Sequence, residues 1–249
     1  MPVEMINTGD EINFGAVAAT GNLSQMTVMA WVYMDAVGAI EDADWNAYAV
    51  TQYEDGQAAG KGWGIGNSDS DDWGNTLSLF WYRDFTNAPG AWWADNTLTE
   101  GIWQHIAVTH DASSALNDPV LYVDGVSKSV TEKFTPNGTV QDVSAEDLRI
   151  GTIVANARLT FNGKITDVRI YNRILDATEI AQIVAKKAYI RQWSEYGLIF
   201  NAQCLGAAGV QSFDGAALGV TDYIVDYING IQGTPNGEPL GWDDIYLAY

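Results

Sequence analysis

Cysteine is nearly absent: Cys204 stands alone in 249 residues. An intramolecular disulfide is therefore excluded, and so is a four-thiolate zinc site. Cys204 reads as a small buried hydrophobe. Histidine is almost as scarce, with His105 and His110 the two side chains whose ordinary pKa suits proton transfer near neutral pH. Positive charge is short as well. Twelve Lys and Arg face 32 Asp and Glu, giving a net charge of −20. A surface of that sign repels phosphate backbones and anionic lipid heads, so neither nucleic acid nor a membrane is an expected partner. No apolar run approaches the roughly 18 residues of a membrane-spanning helix. Residues Met1 to Asn7 carry neither a basic n-region nor an apolar h-region, so no secretory leader is read there.

What is present is apolar and aromatic. Hydrophobic residues make up 47% and aromatics 12%, enough for a packed core and too much for a disordered chain. Strand patterns dominate residues 1–171, where Val, Ile, Thr and aromatics alternate with polar residues between Gly, Asn and Asp clusters. The clearest are Met26–Tyr33, Thr76–Tyr82, Trp103–Thr109, Val120–Val123, Leu148–Gly151 and Lys164–Tyr171. Asp124-Gly125 is a strong hairpin turn, since both residues tolerate positive φ. So many strands with turns every ten or so residues indicate an all-β sandwich of two antiparallel sheets. One helix interrupts them. Asp176 and Glu179 form a capping box, Ile180, Ile183 and Val184 recur at helical spacing, and Lys186-Lys187 suit the C-terminal dipole, which predicts a helix over 177–188. Composition shifts near Tyr189. Residues 1–188 form the main domain. Residues 189–249, with strand-like pieces at Gly197–Phe200 and Asp222–Tyr227, form an extension too short for a core of its own, expected to pack on that domain or on a neighbouring subunit.

Taken in series, Met26–Tyr33, Trp103–Thr109, Leu121–Gly125, Leu148–Gly151, Phe161–Arg173 and Asp176–Ile180 resemble the laminin-G-like group of the concanavalin A-like lectin/glucanase jelly rolls over roughly residues 1–187. The resemblance implies a jelly-roll β-sandwich. It also implies a structural calcium, held by an aspartate of the last strand and by the N-terminal segment; the matching positions are Asp167 and Asp10. Asp167 has other uses open to it: pairing with Arg169 or Lys164, or capping a turn. A second acidic stretch, Asn67–Asp72, resembles a calcium loop in composition but lacks the spacing of one, and reads as a solvated loop. The tail more faintly resembles the opening of a further unit of the same kind, as in phage-encoded relatives.

Glucanases of this superfold set their carboxylates on one strand in an E-x-D-x-x-E pattern, about 5 Å apart for a retaining mechanism. The sequence has no such motif; Glu41-Asp42-Ala43-Asp44-Trp45 lacks the third carboxylate. His105 and His110 have opposite strand parity, so a regular strand sends them to opposite faces. There is no nucleophile elbow and no phosphate-cradling loop. Tryptophan is the outstanding residue, ten in all. Flat rings stack on pyranose faces while neighbouring Asn, Asp and Gln bond the hydroxyls, so Trp63, Trp73, Trp81, Trp92 and Trp93 are a candidate carbohydrate site. The competing use of the same rings is core and interface packing. Adjacent Trp92 and Trp93 cannot both face inward.

These features point to a non-catalytic binding or structural module. With no leader at the start and a Gly-rich, aromatic tail, it reads as a phage virion component, a capsid-decorating or fibre-type protein. Its partners would be copies of itself, other virion proteins and glycans, and its location the virion, or the extracellular space if a leader has been removed. A soluble lectin and a divergent glycoside hydrolase are the alternatives.

Overall fold

A computed structural model describes residues 3–5, 7, 9–39, 46–54, 61–68, 77–153, 159–185, 196–202, 224–225 and 232–236. Elements are numbered in chain order. Among the described residues, strands form two antiparallel sheets. Seven strands make the first: β1 (Val3–Met5), β3 (Gln25–Ala39), β8 (Trp103–Asp111), β9 (Val120–Val123), β10 (Val126–Ser127), β13 (Phe161–Tyr171) and β14 (Leu198–Ala202). Nine make the second: β2 (Glu11–Ala16), β4 (Ala47–Tyr53), β5 (Gly62–Ser68), β6 (Ser78–Arg83), β7 (Gly90–Ala94), β11 (Thr131–Phe134), β12 (Asp147–Ile150), β15 (Ile224–Val225) and β16 (Gln232–Asn236). The spatial orders are β1-β13-β3-β8-β9-β10, with β14 beside β13, and β11-β7-β6-β5-β4-β12-β2-β16-β15. Two helices accompany them, α1 (Ala18–Gly21) and α2 (Ala177–Ala185). None is long and apolar enough to cross a membrane among the described residues.

Alternation explains the stack. Val28, Ala30, Val32 and Met34 of β3, Ile106 and Val108 of β8, and Ile165, Val168 and Ile170 of β13 enter one buried cluster. They meet Ile65 of β5, Leu79 of β6 and Leu148 and Ile150 of β12 from the facing sheet. Successive strand side chains point to opposite faces, so each strand keeps a second set for the outside. Each large aliphatic side chain buried this way contributes about 1.5–3 kcal/mol.

Local signals act as the sequence dictates. Asp124 and Gly125 take φ of 51° and 77°, and Val126 pairs with Val123 across a two-residue turn. At Gly163, φ is 143° and a Cβ would lie 2.0 Å from the Tyr33 carbonyl oxygen, so β13 crosses β3 there only without a side chain. The capping box forms in both directions: the Glu179 amide donates to Asp176 Oδ1 at 2.8 Å and the Asp176 amide to Glu179 Oε2 at 2.9 Å. Helix α2 is described to Ala185; Lys186 and Lys187 lie outside the described residues.

The tail contributes to both sheets. β14 pairs with Val168–Tyr171 of β13, on the edge that β1 occupies at Gly163–Ile165, and β16 pairs with Glu11–Asn13 of β2.

Candidate functional site

The outer face of the nine-stranded sheet holds a cluster of ring and polar side chains. Its centre is β5. Trp63 and Ile65 turn into the core, which leaves Gly62, Gly64 and Gly66 on the outside. A Cβ on Gly62 would stand 2.3 Å from the Tyr53 ring, and one on Gly64 2.5 Å from the Tyr48 ring. Two tyrosines of β4 therefore lie against bare backbone, and a glycine-floored trough seats their rings.

On the other side of β5, Tyr82 and Asp84 follow each other on the outer side of β6 and its continuation. Tyr82 donates its hydroxyl to Asp84 Oδ1 at 2.8 Å, and the Gly62 amide donates to Oδ2 at 2.9 Å. The rings of Tyr53 and Tyr82 stand 6.2 Å apart at 50°. Both are half-buried, whereas Asp84 is 8% exposed. Burial lifts the Asp84 carboxyl to about 6, against the opposing pull of its two hydrogen bonds. Burial, with the charge of Asp84 behind it, pushes the Tyr53 phenol up to about 12; the Tyr48 and Tyr82 phenols are raised for the same reasons. At neutral pH the cluster thus presents protonated phenols around a carboxyl poised close to its titration.

Further along the same face, Tyr48, Phe80, Ala91, Trp93 and Ile153 form a separate buried cluster. Phe80 meets Tyr48 edge-on at 4.8 Å and stacks with Trp93 at 5.8 Å. Beyond β4, Arg149 is buried between Glu11 at 3.0 Å and Asp147 at 2.8 Å.

The structure corrects the tryptophan expectation. Trp63, Trp81 and Trp92 point into the sandwich, and Trp93 into the Phe80 cluster; none is more than 3% exposed. Their faces are occupied by protein, so they cannot stack on a sugar. Trp73 lies outside the described residues, as do Glu41–Trp45 and Asp69–Asp72. Trp92 and Trp93 do take opposite faces, yet both are buried, because the outer face carries a hydrophobic cluster of its own.

The two aspartates expected to share a calcium ion are not brought together. Both Asp167 oxygens pair with Arg169 at 2.8 Å, one of the alternatives open to it. Asp10 is fixed at the other end of β13, where its Oδ2 accepts from the Asn7 amide at 2.9 Å and the Gly9 amide reaches Thr160 Oγ1. Seven strand residues, about 20 Å, separate the two positions. These two carboxylates do not fit one ion, and no group of three metal-ligating side chains occurs among the described residues.

His105 and His110 do face opposite ways. His110 lies inside, where Nδ1 accepts from the Trp81 indole at 2.9 Å and Nε2 reaches the Asn117 carbonyl at 3.2 Å. His105 lies on the outer face of the seven-stranded sheet, edge-on to Trp31 at 5.4 Å. Burial holds both near 3, so both are neutral at pH 7.

A signal for the trough was available in the sequence. Gly62-Trp63-Gly64-Ile65-Gly66 alternates a bare and a bulky residue, which on a strand describes one filled face and one empty face. Asp84 left no such trace, since its environment is made by three separated segments.

A family model described as the Concanavalin A-like lectin/glucanases superfamily matches residues 7–181. No curated relative matches the sequence. Among solved structures, one similar chain is a Bacteroides ovatus protein provisionally described as carbohydrate binding, with TM-score 0.59 and 16% identity, covering 98% of this chain and 61% of that one. This chain thus spans less than two thirds of that protein's length. Another is the CBM40 of a Ruminococcus gnavus sialidase bound to α2,3 sialyllactose, with TM-score 0.55 and 11% identity, covering 74% of this chain and 96% of that one. At such identities the likeness is one of fold, and it agrees with the two stacked antiparallel sheets. By its sequence match over residues 7–181 and by this architecture, the chain belongs to the Concanavalin A-like lectin/glucanases superfamily.

Proposed function

We propose that the protein is a non-catalytic carbohydrate-binding jelly-roll module whose site is the Tyr53–Tyr82–Asp84 face. One observation carries this reading: two half-buried tyrosine rings flank a hydrogen-bonded carboxyl, with the Tyr53 ring seated on the bare backbone of Gly62. Such rings offer an apolar surface to a pyranose, and the phenols and carboxyl bond its hydroxyls. The Ruminococcus gnavus neighbour carries a bound saccharide, α2,3 sialyllactose, on the same fold. The ionised Asp84 and a net charge of −20 disfavour acidic sugars, so the expected ligand is neutral.

Calorimetric titration with malto-, cello-, xylo-, manno- and chito-hexaose tests this. One member binds, and Tyr82→Ala weakens it at least tenfold without lowering Tm by more than a few degrees. Binding that Tyr82→Ala and Tyr53→Ala leave unchanged overturns the assignment of the site. Hydrolysis of any of the five overturns the non-catalytic role.

The finer role is decoration of a virion surface, with copies of the chain or other virion proteins as partners. It rests on the sequence of the tail, whose Tyr223, Tyr227, Trp242, Tyr246 and Tyr249 lie among glycines. Native mass measurement separates the cases: a trimer or larger assembly supports a particle component, and a monomer supports a free-standing lectin module.

A further inference from the structure

Asp84 lies behind the Tyr82 hydroxyl with both of its oxygens engaged, and the two engagements differ in kind. Oδ2 accepts from the Gly62 amide at 2.9 Å, and the Asp84 amide donates back to the Gly62 carbonyl at 2.8 Å. A backbone N–H can only donate, so Oδ2 is fixed as an acceptor. Oδ1 accepts from the Tyr82 hydroxyl at 2.8 Å. A hydroxyl both donates and accepts, so this second bond can reverse.

At 8% exposed, Asp84 is too enclosed to meet a ligand itself. Tyr82 is the half-buried outer member of the pair. While the carboxyl is ionised, Tyr82 spends its one proton inward and turns only lone pairs outward. When the carboxyl takes up a proton, Oδ1 carries it, because a carbonyl-like Oδ2 is the better acceptor for the fixed amide. Oδ1–H then donates to the Tyr82 oxygen, and the Tyr82 proton turns outward. A single proton bound behind the ring thus converts an acceptor at the surface into a donor and removes a negative charge.

The surroundings leave this switch to Asp84. From β4, the phenols of Tyr48 and Tyr53 feel its charge, with Glu54 next to Tyr53 at the strand's end. From β5 comes the Gly62 amide, after the exposed Lys61. From β6 comes Tyr82, while Arg83 is turned into the sandwich toward Met26 and Leu23. Among the described residues no cation pairs with the carboxyl, and burial brings its titration to about 6.

Resting on the reading of this face as the saccharide site, we infer that Asp84 is a positioning residue that sets the class of ligand through Tyr82. With Asp84 ionised, the face takes neutral saccharides, whose hydroxyls donate to Tyr82. With Asp84 protonated, it also takes saccharides bearing a carboxylate, which accepts from Tyr82.

Asp84→Asn locks the second state, since its carboxamide oxygen meets the Gly62 amide and its NH2 donates to Tyr82 at every pH. The neutral hexaose that binds and hexagalacturonate are titrated by calorimetry at about pH 7.5 and about pH 5, where a uronate stays ionised. The proteins are the wild type, Asp84→Asn and Tyr82→Phe. The wild type should bind hexagalacturonate at least tenfold more tightly at the lower pH, with little change for the neutral hexaose. Asp84→Asn should bind the uronate at pH 7.5 as tightly as the wild type does at pH 5, with no pH step. Tyr82→Phe should keep the neutral hexaose and lose the step; it reads the same switch where Asp84→Asn fails to fold. A step retained in either variant overturns the inference, because it then reports only the falling net charge. Uronate binding that is flat with pH, beside a neutral hexaose that Tyr82→Ala releases, overturns it too and leaves the site standing. Binding indifferent to Tyr82→Ala and Tyr53→Ala, or no binding of any saccharide at either pH, overturns both.

Discussion

The outer faces of the two sheets use the same strand geometry and reach opposite electrostatic outcomes. On the nine-stranded sheet, a carboxyl is buried beside phenols and holds its proton up to about pH 6. On the seven-stranded sheet, an imidazole is buried beside a guanidinium and gives up its proton down to about pH 3. Both shifts come chiefly from burial, which penalises whichever form is charged. The sign follows from the group and not from the location, so the two faces respond to pH in opposite directions.

The largest expected effect concerns His105. Its folded pKa lies below the unfolded value of 6.5, so the unfolded chain binds the proton more tightly. The stability involved is present above pH 6.5 and is lost as pH falls. At pH 4.5 the loss is about 2–3 kcal/mol, and His110, depressed likewise inside the core, adds a comparable amount. Thermal unfolding should show Tm falling between pH 6.5 and 4.5. A neutral replacement, His105→Gln, should flatten that fall; an unaltered slope would mean that His105 is not the group responsible.

Next comes the trough. Gly64→Ala places a methyl 2.5 Å from the Tyr48 ring and should cost about 1–3 kcal/mol by overpacking. Tyr48→Phe will not relieve it, because the ring remains, whereas Tyr48→Ala will. A double-mutant cycle by chemical denaturation gives the coupling, and simple additivity would show that the ring does not rest on Gly64.

The smallest effect belongs to Asp84. Its folded pKa is above the unfolded 3.8, so the folded state binds the proton more tightly and stability declines as pH rises from about 4 to 6. Asp84 is buried but lies beside the partly exposed Tyr53 and Tyr82, so screening from that side limits the effect to about 1 kcal/mol or less. Asp84→Asn should remove this decline and leave the acid-side fall from the histidines intact. Should both limbs change together, the two faces are coupled through the core and the contrast drawn above fails.

Much of the framework is legible in the chain because its causes are local. Alternation along β3 and β8 states which residues are inside, Asp124-Gly125 closes its hairpin by its own φ preferences, and Asp176 with Glu179 starts α2 by satisfying each other's amides. The candidate site is less legible because its causes are not local. Abundance of tryptophan says nothing about which way the rings point. Trp81 and Trp92 serve the core, where each indole finds a distant partner, His110 and Asp118 respectively. The rings left at the surface, Trp31, Tyr33, Tyr53, Tyr82 and Trp103, are scattered singly through the strands. Asp84 owes its elevated pKa to the Gly62 amide and the Tyr82 hydroxyl, which only the folded sheet brings to it.

The edge of β13 has a consequence for how this chain is cut and expressed. Gly163–Ile165 and Val168–Tyr171 are satisfied by two segments from far apart in sequence, one before residue 6 and one after residue 197. A truncation that stops at the end of α2 removes the second partner and leaves a row of unanswered amides and carbonyls beside Val168 and Ile170. Bare strands of that kind recruit whatever extended peptide is at hand. The same cut takes Phe200 and Ala202 out of the buried core, Phe200 from its edge-on contact with Phe14, so a shortened chain would clump and lose stability together.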